Sequence, residues 1–394
     1  MRTSPFILLC ATGLFAIFSS TISKSPVLPL FASHLGADPS GIGFVASVSA
    51  FTGIVASIPA GLLSDRLGRK RMLIFSLFVF STAPFLYLFV GNIWQLAAVR
   101  FYHGFATAIF IPVAMALVAD LFHTERGEKM GWFSTSTLLG RFMSPMAGGV
   151  IIGMLVLNPS LSYKAVYLTC GVAGIIALLL ALKLPTPEKA TENPSWIGTF
   201  SAFKSVVSDR GIVIISGVEA AMLFAYGTFE TFLPLYSMKS GLSAYHVGIF
   251  LSSQVITLAL TKPVMGRFSD RHGRMPQILA GTVFGALCMG SFSLFRSFLP
   301  LLALSIAFGL CLSVVTSATS AFIADSSRKE SHGSAMGILG SIMDVGHTAG
   351  PLVSGIIAAY FGYGKSFVGA AAVLILAAVV YGIYALRIRR PAAP

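Results

Sequence analysis

Two stretches of this chain are written nearly alike: Gly61-Leu-Leu-Ser-Asp65-Arg66-Leu-Gly68-Arg69-Lys70-Arg71 and Gly266-Arg-Phe-Ser-Asp270-Arg271-His-Gly273-Arg274. They lie 205 residues apart, and the same offset carries Leu28-Pro29-Leu30 onto Leu233-Pro234-Leu235, Gly104 onto Gly309 and Ala119-Asp120 onto Ala324-Asp325. One residue more of offset carries Gly131, Gly140, Pro145 and Gly149 onto Gly337, Gly346, Pro351 and Gly355. Matches concentrated in Gly, Pro and charged positions at one spacing mark an internal duplication, the feature to seek before any other. The chain is two copies of one unit.

Outward from the paired motifs, the sequence is almost entirely apolar. Hydrophobic residues make up 55% of its 394 residues and charged ones 10%, and its mean hydropathy is +0.84. A soluble domain carries about 25% charged residues, so this chain cannot cover a water-facing surface. The apolar material falls into runs of about 20 residues, the length of a membrane-spanning helix. A β-barrel would show short alternating segments instead. Spans are predicted at 6–32, 40–63, 72–91, 94–120, 130–157, 163–184, 211–237, 244–265, 276–295, 298–323, 334–361 and 364–387. The expected fold is all-α and integral to the membrane: twelve spans in two pseudo-symmetric six-helix bundles, 1–184 and 211–394. Between them, 185–210 is a polar linker. Trp196, Phe200, Phe203 and Val207 recur there at helical spacing, so a short interfacial helix and a solvated tether are both open readings.

Charge sets the orientation. With the N-terminus inside, nineteen Lys and Arg fall on cytoplasmic segments and four, Lys164, Lys239, Arg296 and Lys365, on the opposite loops. The positive-inside rule then places both termini in the cytoplasm, and the expected location is a cell membrane, the bacterial inner membrane. The net charge of +13 is a topology signal rather than a nucleic-acid footprint, because the basic residues are dispersed over short loops. The four cysteines lie within apolar runs at spacings that suit neither a metal site nor a disulfide framework.

The paired motif resembles the GxLaDrxGrkr signature of the major facilitator superfamily. That family's two parallel six-helix halves fit the repeat, an architecture of secondary transporters. The resemblance implies a conformational latch at Gly61, Asp65, Arg66, Gly68 and Arg69, with a second copy at Gly266, Asp270, Arg271, Gly273 and Arg274 that departs at Met275 and Pro276. Arg100-Phe-Tyr-His103-Gly104 is similar to the family's RxxqG motif, with His103 in the usual Gln position, and implies a role for Arg100 in proton transfer. Gly131, Gly140, Pro145, Gly148 and Gly149 resemble the motif of the drug–proton antiporters, with Ser144 in place of a glycine. Its partial copy at Gly346, Gly350 and Pro351 shows that general helix packing accounts for part of it.

Charges inside the spans need a reason, since each costs about 2.5–3.5 kcal/mol on insertion scales. The first half holds Lys24, Arg100 and Arg141; the second holds Glu219, Glu230 and Asp344, with Lys262 nearer a span end. Asp344, Glu219, Glu230 and Arg100 are the proton-coupling candidates. Arg141, His103, His347, Phe224 and Phe229 are candidates for a substrate cavity, and Lys24 with Glu230 for an outer ion pair. The reading that follows is a proton-coupled, alternating-access exporter of small amphiphilic or drug-like molecules. It is a monomer in the lipid bilayer, with no cofactor, no metal and no nucleic-acid partner. The same fold carrying an organic anion, sugar or other metabolite in either direction is the alternative. A membrane enzyme or signalling protein is more remote, as no nucleophile–base pair stands out. No G-x4-G-K-[ST] run is present either, which argues against an ATP-driven pump.

Overall fold

The computed structural model describes residues 4–122, 125–186, 210–326 and 332–389. The anticipated interfacial helix of the linker lies outside the described residues. Apolar chain in hydrocarbon must satisfy its own backbone, which a helix does segment by segment. The helices are α1 (Pro5–Ile22), α2 (Val27–His34), α3 (Pro39–Leu67), α4 (Arg69–Leu86), α5 (Ile93–Leu121), α6 (Arg126–Met154) and α7 (Pro159–Leu182). After the linker come α8 (Arg210–Lys239), α9 (Ala244–His272), α10 (Arg274–Phe292), α11 (Phe298–Ser326), α12 (His332–Phe361) and α13 (Tyr363–Arg389). With α1 and α2 taken as one span, twelve segments of the described chain are long and apolar enough to cross a membrane.

Two expectations are corrected. The first span is not one helix, because α1 stops at Ile22 and α2 starts at Val27. Pro26 brings no N–H to a helical ladder and disfavours helical backbone at Ser25. Hydrogen bonds from Ser25 N to Thr21 O (2.9 Å) and from Leu28 N to Lys24 O (3.1 Å) bridge the interruption. The paired motif, which falls largely between predicted spans, is helical on both sides of a single residue. Gly68 turns the chain at φ +96° and Gly273 at +88°, a region a Cβ disfavours, so each pair of helices needs only one glycine between them. Elsewhere the helix starts are capped by side chains, Asp38 on Ser40 and Gly41, Asn92 on Trp94 and Gln95, and Asn158 on Leu161.

The chain groups into two compact units, and the start of α9 (Gly241–Ser252) belongs with the first. In the first unit α1 packs on α6 and α7, α3 on α5, and α4 on α5 and α7. In the second α8 packs on α12 and α13, and α10 on α11 and α13. Four of these pairings correspond under the repeat: α1–α6 with α8–α12, α1–α7 with α8–α13, α4–α5 with α10–α11, and α4–α7 with α10–α13. Phe80, Phe110 and Phe133 fill the first core, and Phe229, Phe292, Phe308 and Phe367 the second.

Small residues let the leading pair in each unit touch backbone to backbone. A Cβ on Gly140 would lie 2.5 Å from the Leu14 carbonyl oxygen, and one on Gly148 would lie 2.9 Å from Pro26 Cδ. Cβ atoms on Gly346 and Gly350 would collide with the Ala220 and Phe224 carbonyl oxygens. Gly149 faces the other way: a Cβ there would lie 2.6 Å from the Ala244 carbonyl oxygen at the start of α9. Along the same face the Ser252 hydroxyl donates to the Phe142 carbonyl at 2.9 Å. Pro145 shares that face, its carbonyl lying 2.8 Å from a Cβ placed on Gly248, while Pro351 packs against Gly227. Gly131 is the exception. It sits in open space at the exposed start of α6, and so takes no part in helix packing.

Candidate functional site

The polar groups fall into two kinds of cluster: clasps at the helix ends beside the paired motif, and buried groups within the spans. At the first clasp Arg69 Nε donates to Asp120 Oδ2 at 2.6 Å and its Nη1 to Ser64 Oγ at 3.3 Å. At the second, Arg274 Nη2 meets Asp325 at 2.6 Å and Asp270 at 3.4 Å. Each clasp therefore ties the first residue of one helix, α4 or α10, to the last turns of its neighbour, α5 or α11. Lys70 adds a bond to the Leu184 carbonyl beyond α7. Arg66 and Arg271 are exposed, and Gly266 has open space around it. Gly61 and the Asp65 side chain lie outside the described residues. Asp120 and Asp325, the partners of the motif arginines, are absent from the sequence-derived site. Their match under the motif's own offset was the signal that could have found them.

Within the first unit Arg100 is only 3% exposed. Its Nη1 donates to the Tyr87 hydroxyl at 3.4 Å, and that oxygen lies 3.3 Å from His103 Nδ1. Tyr87 stacks flat on Tyr167, with ring centroids 4.2 Å apart. Arg100 and His103 are thus brought together on α5, against two tyrosines that sequence reasoning did not single out. Among the described residues no carboxylate pairs with Arg100. His103 is buried in this cluster, which takes it off a cavity wall. Arg141 is exposed on α6.

The carboxylates lie in the second unit. Glu219 of α8 is 1% exposed and accepts a hydrogen bond from the Thr319 hydroxyl of α11, while Lys262 of α9 is close enough to act on its charge. Eleven residues along α8, Glu230 lies 3.5 Å from His347 Nε2 of α12. That contact is a full ion pair only when the imidazole is protonated. The His347 ring also lies 5.5 Å from Tyr226. Asp344 is half-buried, and its carbonyl accepts from Thr348 one turn on. Lys24 is half-buried where α1 gives way to α2. Phe224 is buried along the α8–α12 contact. Phe229 is corrected: it is fully enclosed by Phe292 and Phe308, which places it in the packed interior rather than on a cavity wall.

The architecture and motif geometry agree with a comparison to known families, in which the Major Facilitator Superfamily model matches residues 8–253 and 241–394. The chain belongs to the Major Facilitator Superfamily. An uncharacterised MFS-type transporter of Methanocaldococcus jannaschii is 27% identical, covering 93% of this chain and 94% of the relative. The multidrug resistance protein MdtG of Klebsiella pneumoniae is 25% identical, covering 93% and 90%. Among solved structures, a bacterial homologue of the human lysosomal transporter Spinster, inward-facing and unoccupied, superposes with a TM-score of 0.85. It is 16% identical and covers 100% of this chain and 99% of its own, so it speaks for the fold alone.

Proposed function

We propose that this major facilitator transporter expels small amphiphilic or drug-like molecules in exchange for protons, by alternating access. The observation that carries the coupling is Glu219: a carboxyl buried within a membrane span, held by a hydroxyl donor with a lysine nearby. Such a group is costly in hydrocarbon and marks an ion pathway by default. Asp344 and Glu230, with its switchable contact to His347, are the further proton carriers of this reading, and Arg100 tunes the first unit. The driving force suffices. One proton falling through 100 mV yields about 2.3 kcal/mol, and each pH unit adds about 1.4 kcal/mol. The direction of transport rests on multidrug-resistance relatives such as MdtG. In this reading both termini are cytoplasmic, on the positive-inside rule.

The test is proton release from purified protein on adding a panel of cationic amphiphiles, comparing wild type with Glu219→Gln and Asp344→Asn. Release from wild type that either variant abolishes supports antiport and marks the coupling carboxyl. Substrate binding with no proton signal defeats it. The buried Arg100, with no carboxylate partner among the described residues, and the exposed Arg141 favour a second reading, a carrier of organic anions. In that case Arg141→Gln weakens binding of anions and spares cations.

A further inference from the structure

The second unit contains a cavity that transport, as proposed, does not use. It is a groove of about 330 Å³ between α10 and α11, closed at one end by the last turns of α9. Gln277, Gly281 and Cys311 form its buried floor; Phe268, Phe284 and Leu310 form an exposed rim. Apart from Gln277 the groove is lined by hydrocarbon and sulfur. The Gln277 amide nitrogen donates to the Met265 and Val314 carbonyls at 3.0 and 3.1 Å, while its Oε1 is buried without a partner.

Three features identify what belongs in this groove. Its helices are membrane spans, so its open side meets acyl chains. Its length along α10, from Gln277 to Cys288, is eleven residues, about 16 Å at 1.5 Å per residue. That is about half of the ~30 Å hydrocarbon core, the depth of one leaflet. Its Gln277 end lies beside the basic turn of the second motif. Arg271 and His272 follow Phe268 by three and four residues and so share its helix face, and the His272 ring stacks on Phe268 at 4.1 Å. Arg274 is occupied by Asp325, but Arg271 is exposed and, among the described residues, has no carboxylate partner.

We infer that this groove holds one acyl chain of an anionic phospholipid from the leaflet adjoining the 266–274 turn, with the lipid phosphate on Arg271. The chain covers the apolar floor, and the guanidinium meets the charge where the chain leaves it. A lipid so placed lies against α10 and α11, the two helices that the Arg274–Asp325 clasp joins. Its presence therefore ties the lipid composition of that leaflet to the α10–α11 junction.

Native mass spectrometry of the full-length chain tests this, with phosphatidylglycerol and phosphatidylcholine titrated separately. The expected result is one tightly retained phosphatidylglycerol, held about fivefold better than phosphatidylcholine, the effect of one basic residue near the surface. Arg271→Gln removes that preference. Ala280→Phe and Ala307→Phe, two independent ways of filling the groove, reduce retention of both lipids while the melting temperature shows the chain folded. Equal retention of the two lipids by wild type overturns the headgroup assignment. Undiminished retention in the filled variants that remain folded overturns the groove as the site. A dimer that the filled variants dissolve also overturns the proposal, because the occupant is then a second copy of this chain.

Discussion

The α1–α6 contact of the first unit and the α8–α12 contact of the second descend from one duplicated pattern and solve it differently. At the first level both use glycine, Gly140 on Leu14 and Gly346 on Ala220. At the second, Ser144 stands where its counterpart is Gly350. The Ser144 hydroxyl donates to the Phe18 carbonyl at 3.0 Å, whereas Gly350 lets the Phe224 carbonyl press against its Cα. At the third the arrangement inverts. Gly148 packs on Ile22 and Pro26, whereas Ser354 hydrogen-bonds Thr228 at 2.7 Å. At these three levels each contact keeps two glycine approaches and one interhelical hydroxyl bond, but at different depths; beyond them α1–α6 adds a bond from the Ser136 hydroxyl to the Cys10 carbonyl, and α8–α12 packs Gly227 against Pro351. Helix association in lipid has no hydrophobic drive, so it relies on this mix of close packing and polar bonds. What the duplication preserves is the mix, while the level of each element is free to move.

The largest break in this comparison comes from exchanging the second level. Gly350→Ser forces a Cβ onto the Phe224 carbonyl and is expected to cost about 3 kcal/mol, the upper range for overpacking. Ser144→Gly removes one interhelical bond and costs about 0.6 kcal/mol. Thermal melting in detergent reads both, and equal losses would mean that the two contacts have the same spacing. Next come the clasps. Asp120→Asn is expected to slow transport more than Asp325→Asn, with stability losses of about 1 kcal/mol and less, respectively. The Asp325 side chain is 64% exposed against 30% for Asp120, and Arg274 keeps Asp270 as a second partner. Flux in liposomes and melting together check the order, and a larger effect at Asp325 reverses it. The smallest effect belongs to the third level. Thr228→Val removes the bond to Ser354 and is expected to cost about 0.6 kcal/mol, with transport unchanged. A cost several times larger would mark that hydroxyl pair as more than packing.

Much of this was legible in the order of residues. The repeat, the span lengths and the basic loops need only composition and spacing, and the structure keeps the predicted spans to within a few residues, apart from the interruption of the first and the seven residues by which α9 runs past 265. Of the motif glycines, Gly68 and Gly273 turn the chain at angles that only glycine takes readily, whereas Gly61 and Gly266 lie inside helices. Which way a side chain faces was harder to read. In a soluble helix the apolar stripe marks the core, but lipid is as apolar as a protein interior, so that periodicity is erased. Phe229 and His103 were therefore assigned to a cavity and proved to be buried among their neighbours, and Gly131 to packing it does not make.

By itself the sequence determined a duplicated, twelve-span helical membrane protein of the major facilitator kind, since hydropathy and repetition are properties of the chain order. Only the tertiary structure decided that the motif arginines close on Asp120 and Asp325, that Arg100 lies among tyrosines with no carboxylate among the described residues, and that a leaflet-deep groove opens between α10 and α11. Those facts depend on which helices become neighbours and how they are rotated. Close backbone contact sets that rotation, and a uniformly apolar sequence does not encode it as a pattern.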